Sequence, residues 1–205
     1  MKNFNNTYII IYSAVLVAVV AVILSVVAVK LQPLQHKNQR IEQYQMILKA
    51  AGTESSTKDA EDLYKELITE KVLDNGDMVY LYANGCVLPF NGVGLWGPIW
   101  GYMAFDNDLK VTGAIFDHKG ETPGLGGEVA TPAFANKFIG KKIIENNKIV
   151  PIVLRKNADK TSPYEVDAIS GGTLTSEGVN KMIADGLEQY KSYIESILEK
   201  EVSNE

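Results

Sequence analysis

Four hydroxyl side chains surround a glycine pair and follow an aspartate in the segment Asp167-Ala168-Ile169-Ser170-Gly171-Gly172-Thr173-Leu174-Thr175-Ser176. The residues before it read as a short strand, and those after it as a helix. Glycines allow a ligand close to the backbone, and a new helix presents N–H groups that have no intrahelical acceptor. A phosphate would be favoured there by those donors and by the helix dipole. The same residues also fit a plain glycine turn with Thr175 or Ser176 as helix cap. A second segment, Glu121-Thr122-Pro123-Gly124-Leu125-Gly126-Gly127-Glu128, puts three glycines in four positions after a Pro-Gly turn. Such a loop can lie flat on an aromatic ring system and offer it N–H groups. It also fits an ordinary surface loop.

Other chemistries find little support. The single cysteine, Cys86, makes neither an internal disulfide nor a thiolate cluster, and reads as a small buried hydrophobe. Two histidines, His36 and His118, do not suggest a multi-histidine metal site, so no metal ligands are assigned. The formal net charge is −5, without the basic face of a nucleic-acid binder.

The elements that hold these segments are legible in part. Residues 8–29 are apolar and uncharged, long enough to cross a hydrocarbon core of about 30 Å. A cleaved signal would have a shorter apolar core and a small-residue cleavage site. The reading is therefore a retained transmembrane helix, after a tail at 1–7. Counting Lys and Arg on its flanks would weakly favour the inside for the rest of the chain. An apolar stripe at Leu34, Ile41, Tyr44, Ile47, Leu48 and Ala51 predicts a helix over 34–51, stopped by Gly52. Ser56-x-x-Asp59 opens a second helix with Leu63, Tyr64, Leu67 and Ile68. Residues 78–82, 100–105 and 111–117 read as strands, with a hairpin loop at 106–108. Thr131-Pro132 starts a short helix that Gly140 ends. Residues 151–154 and 164–167 are two more strands. An amphipathic helix starts near Ser176. The fold class is α+β: an N-terminal transmembrane helix, then a mainly antiparallel sheet flanked by helices.

The run Asp167-x-x-Ser170-Gly171-Gly172-Thr173 resembles the flavinylation motif read by a dedicated flavin transferase. The resemblance implies FMN joined by a phosphoester to the final threonine, Thr173. Gly172 stands where alanine is usual. Thr175 falls two residues past the motif and is left to the helix cap, though it neighbours the cofactor. The 121–128 segment is similar to the flavin-facing loop of the same family. Gly92-Val93-Gly94-Leu95-Trp96-Gly97-Pro98-Ile99-Trp100-Gly101 resembles the C subunit of the sodium-translocating NADH:quinone oxidoreductase. So does Asn38-x-x-Ile41 through Ile47-Leu48-Lys49-Ala50-Ala51-Gly52, and the likeness extends over nearly the whole chain. Its nearest sibling is the G subunit of the Rnf electron-transport complex.

The resemblance divides the chain into a helical stalk and connecting helix at 30–73, an FMN-binding α+β domain at 74–200 and a tail at 201–205. It implies phosphate contacts from Ser170 and the N–H groups of Gly171, Gly172 and Leu174. Thr122, Gly124, Leu125 and Gly126 would lie against the isoalloxazine, and Glu121 would hydrogen-bond the ring or ribityl chain. Trp96 is either a stacking residue or core. Arg155 either balances the phosphate or reduced flavin, or is an exposed strand-end cation. Asp167, with Ser170 and Gly171, is read by the transferase, or Asp167 caps its strand. His118 is structural. The implied role is an electron relay toward ubiquinone in a six-subunit complex that exports sodium from the bacterial inner membrane. The soluble domain would then face the periplasm, and no residue would be catalytic by itself. The alternatives are an Rnf-type flavin subunit, a cofactor-free membrane-anchored binding domain, and an exported FMN-dependent reductase acting alone.

Overall fold

A computed structural model describes residues 6–202, so the tail residues 1–5 and 203–205 lie outside the described part. The chain forms two compact units, Met1–Glu42 and Gln43–Glu205. The first helix, α1 (Asn6–Ala50), belongs to both and continues through Pro33. The helices expected separately over 8–29 and 34–51 are thus one, although proline removes one helical hydrogen bond at Pro33. The apolar stretch of α1 is long and apolar enough to cross a membrane.

In the second unit, α2 (Ala60–Leu67) leads into an antiparallel meander of five strands. These are β1 (Thr69–Val72), β2 (Met78–Tyr82), β3 (Gly85–Val93), β4 (Pro98–Phe105) and β5 (Val111–His118), paired in sequence order. Two of them give little sequence signal. All four residues of β1 are exposed, so nothing alternates. It places the start of the sheet ahead of residue 74, the domain boundary expected from the sequence. Strand β3 contains Pro89 and two glycines, which argue against a central strand. Proline is tolerated because β2 pairs only with residues 85–87, so at Pro89 the strand has β4 alone as neighbour.

The pleat sends alternate side chains to two cores. Cys86, Leu88, Phe90, Met103 and Phe105 face one core, with Val179, Met182, Ile183 and Leu187 from α4 (Thr173–Gln189). Tyr80, Val87 and Ala104 face the other, with Ile47, Leu48 and Ala50 from α1 and Tyr64 from α2. In that second core Tyr44 and Tyr64 stack with ring centroids 4.0 Å apart. Burial pushes the Cys86 thiol up to about 11, although a hydrogen bond with Tyr193 pulls it down. Beyond the sheet lie α3 (Pro132–Ala135), the hairpin β6 (Ile144–Glu145) and β7 (Lys148–Ile149), and the parallel pair β8 (Val153–Arg155) and β9 (Glu165–Asp167). Thr131 caps α3, its hydroxyl accepting from the Phe134 N–H at 3.2 Å.

The C-terminal helix begins at Thr173, not near Ser176, and a bend at Tyr190 separates it from α5 (Lys191–Val202). It lies close on β3 because both sides lack a side chain at the crossing. A Cβ on Gly92 would stand 2.6 Å from Met182 Cβ, and one on Gly186 would overlap the Phe90 ring.

Candidate functional site

The glycine-rich segments meet at the start of α4. Strand β9 ends at Asp167, and Ile169 to Gly172 form a tight turn in which the Gly172 N–H donates to the Ile169 carbonyl at 3.1 Å. Gly171 adopts φ +70°, which favours glycine, and a Cβ there would sit 2.6 Å from the exposed, movable end of Leu125. Ser176 locks this turn from inside the helix. Its hydroxyl donates to the Gly172 carbonyl at 2.9 Å and accepts from the Ile169 N–H at 3.0 Å. Helix capping therefore falls to Gly172, which has no side chain to offer. The N–H groups that open α4 have no intrahelical acceptor and no side-chain cap. Thr173 is the first helical residue and is exposed, with exposed Ser170 and Leu174 beside it.

Glu121 is the hub beneath this surface. It is 4% exposed. Its Oε2 accepts from the Thr175 hydroxyl at 2.6 Å, and its Oε1 from the Trp96 N–H at 2.8 Å. The Glu121 N–H donates to His118 Nδ1 at 3.2 Å. Burial works against the charge. Hydrogen bonds from Thr175, Trp96 and Leu95, and the field of His118, outweigh it and hold the carboxyl below its ordinary value. One carboxylate thus joins three segments: the 94–97 turn, closed by the Gly94 N–H on the Gly97 carbonyl at 2.8 Å, the 121–127 loop, and the first turn of α4. Backbone is shaped around it. A Cβ on Gly94 would stand 2.5 Å from Oε1, and one on Gly126 would overlap both Oε2 and the Thr175 hydroxyl. The Thr122 carbonyl accepts from Leu125 and Gly127 at 3.1 and 2.9 Å, which closes the loop. Gly124, with φ +74°, is exposed at its tip.

These connections gather apolar side chains on the outside. Val93, Leu95, Trp96, Leu125 and Leu174 stand exposed on segments that converge on the start of α4. Trp96, at 68% exposure, is not core.

Several sequence-based candidates are buried or are held by other groups of the chain. Both Glu121 oxygens accept hydrogen bonds from within the domain. Thr175 is buried at 1% exposure with its hydroxyl on Glu121, so it is neither the helix cap nor a surface contact. Gly126 is buried below the loop surface, and the Gly172 N–H is already used. Arg155 is paired to Glu165, Nε to Oε1 at 2.9 Å, with its side chain 60% exposed at the strand end. Asp167 Oδ1 accepts from the Ala158 N–H at 3.3 Å at the strand end, and Lys137 Nζ donates to the Asp167 carbonyl at 3.2 Å. Asn180 has a role the sequence did not signal. Its side chain accepts from the Leu154 N–H at 2.7 Å and donates to the Leu154 carbonyl at 3.2 Å, which fixes α4 against β8. No cluster able to hold a metal ion occurs among the described residues.

Gly172 has φ −118°, which any residue adopts. A Cβ there would meet Ile169 Cγ2 at 2.8 Å, Ile169 Cβ at 3.2 Å and Gly126 Cα at 3.3 Å, and Ile169 is buried. Gly172→Ala is therefore expected to cost about 1–3 kcal/mol, because the buried, β-branched Ile169 must shift to make room. Chemical denaturation of the two proteins would measure it. A loss well above that would mean Ile169 has no room to turn.

A sheet backed by helices, an exposed hydroxyl on an uncapped helix start and an apolar rim define a domain suited to a phosphate-bearing aromatic cofactor. Residues 94–188 match the FMN-binding domain family. The C subunit of the Na(+)-translocating NADH-quinone reductase of Pasteurella multocida is 40% identical over 134 residues, covering 62% of this chain and 50% of that protein. The chain thus aligns with about half the length of the curated relatives it matches first. The corresponding subunit of Haemophilus ducreyi is 28% identical over 85% of each chain. The crystal structure of the corresponding subunit of Parabacteroides distasonis superposes with a TM-score of 0.70 at 32% identity, covering 80% of this chain and 96% of that one. The chain belongs to the family formed by the C subunits of the Na(+)-translocating NADH-quinone reductase.

Proposed function

We propose that this chain is an electron-relay subunit of a membrane NADH:quinone oxidoreductase, carrying FMN through a phosphoester on Thr173. The observation that carries the reading is the exposed Thr173 hydroxyl on an uncapped helix start. The family match to an FMN-binding domain supports the cofactor. The residues present fit it. The free N–H groups of the first turn and the Ser170 hydroxyl would hold the phosphate. Leu125, Leu174 and Trp96 would give the ring apolar contact, with Gly124 at the loop tip and Thr122 beside it. When bound, the flavin supplies reversible electron transfer. The chain supplies position, and α1 would fix the domain to the membrane so that the cofactor meets partner redox centres.

In this reading a flavin transferase loads Thr173 during maturation, recognising Asp167, Ser170 and Gly171. The mature domain faces the periplasm of a bacterial inner membrane. It works with the other members of a six-subunit complex, toward ubiquinone and with sodium export. The chain alone completes no NADH or quinone reaction.

The test is reconstitution. Membranes from a strain whose reductase lacks its own C subunit are expected to regain sodium-stimulated, NADH-dependent quinone reduction when this chain and a flavin transferase are supplied. Recovery of ferredoxin-linked electron transport in an Rnf-deficient strain instead would contradict the assignment. So would failure of both.

A further inference from the structure

Glu121 is buried and accepts from Thr175 Oγ1 at 2.6 Å and Trp96 N at 2.8 Å, yet no lysine or arginine lies within ion-pair distance among the described residues. Burial alone disfavours an anion, and here hydrogen bonds rather than a cation hold the charge. A glutamine would span the same partners, since its carbonyl can accept from Trp96 and its amide can donate to the Thr175 oxygen. Joining the segments therefore does not by itself require a charge. The backbone nevertheless closes on both carboxylate oxygens at Gly94 and Gly126. The charge is held next to the α4 turn that begins with Thr173.

We propose that Glu121 is a positioning residue for the cofactor: it pins the Trp96 turn to the first turn of α4 and fixes a negative charge beneath Thr173 that makes the attached FMN harder to reduce. The inference rests on the reading that Thr173 carries FMN. Uptake of two electrons and one proton adds one negative charge to the ring. A carboxylate held in a medium of low dielectric opposes that charge more than one in water.

The experiment uses the full flavin-loaded chain in detergent, titrated with dithionite at neutral pH while visible absorbance and circular dichroism are recorded. Glu121→Gln keeps the hydrogen-bonding shape and removes the charge. It is expected to favour the reduced form about tenfold, a rise of about 30 mV for a two-electron couple. Thr175→Val keeps the charge and removes one of its donors. It is expected to alter the flavin's circular dichroism with no rise in potential. A Glu121→Gln potential that is unchanged or lower overturns the proposal, as does an equal rise in Thr175→Val, the mark of general loosening. If Glu121→Gln does not accumulate folded, Thr175→Val decides alone: a rise overturns the proposal, and an unchanged or lower potential with altered dichroism supports it. A parent chain without covalent flavin overturns the Thr173 reading and this inference together. A loaded parent whose potential ignores Glu121 overturns only the inference.

Discussion

Thr173→Ala is expected to abolish covalent flavin completely while leaving the fold almost unchanged. The side chain is exposed and makes no hydrogen bond to the cap of its own helix. Alanine is also the better helix former. The change in stability should stay within about 0.5 kcal/mol, the range of exposed substitutions. In-gel flavin fluorescence after denaturation, alongside a thermal melt, reads both effects. Thr175→Ala should behave in the opposite way. It should retain the flavin but lose about 1–3 kcal/mol, because it leaves a buried carboxylate oxygen short of its donor. A Thr173→Ala protein that keeps its fluorescence would place the attachment elsewhere.

The largest loss of stability is expected from Glu121→Ala. Truncation leaves the Thr175 hydroxyl and the Trp96 N–H unpaired in a closed space and opens a cavity between three segments. About 3–4 kcal/mol is expected from breaking such a buried network. For a domain of this size that lowers Tm by about 10 °C. The pH dependence follows from the direction of the shift. The folded carboxyl lies below the ordinary value of 4.5, so its stabilisation is present above that value. It is lost as the pH falls through the folded pKa. The stability gap between the parent and Glu121→Gln should be flat from neutral pH to about pH 5 and narrow below 4.5. Urea midpoints along that series would show it. A gap that widened in acid would mean that the carboxyl is held above its ordinary value.

The sequence disclosed the parts of this site whose signal is local. The Gly171-Gly172 pair, the Thr131-Pro132 helix start and the apolar repeat through Val179, Met182 and Ile183 are each written within a few residues. What it did not disclose depends on pairing across distance. Strand β3 carries a proline and a glycine near each end, and only its place beside a shortened β2 explains why it is a strand. Strand β1 has no buried residue, so its membership comes from backbone pairing with β2 alone. The Glu121 to Thr175 contact spans 54 residues. Nothing near either residue distinguishes an inward carboxylate from one facing a ligand. Thr175 looked like a cap because a threonine near a helix start commonly is one. The helix in fact begins two residues earlier, which turns that hydroxyl inward. Resemblance to a known motif singles out Thr173 as the candidate where physics alone left several hydroxyls open.

The most direct test of the central claim is peptide mapping of the parent chain after co-expression with a flavin transferase. Digestion and fragmentation by mass spectrometry would locate any phosphoester-linked FMN to a single side chain. One adduct is expected, on Thr173, with Ser170, Thr175 and Ser176 unmodified. An unmodified chain, or an adduct on any of those three hydroxyls, would contradict the claim.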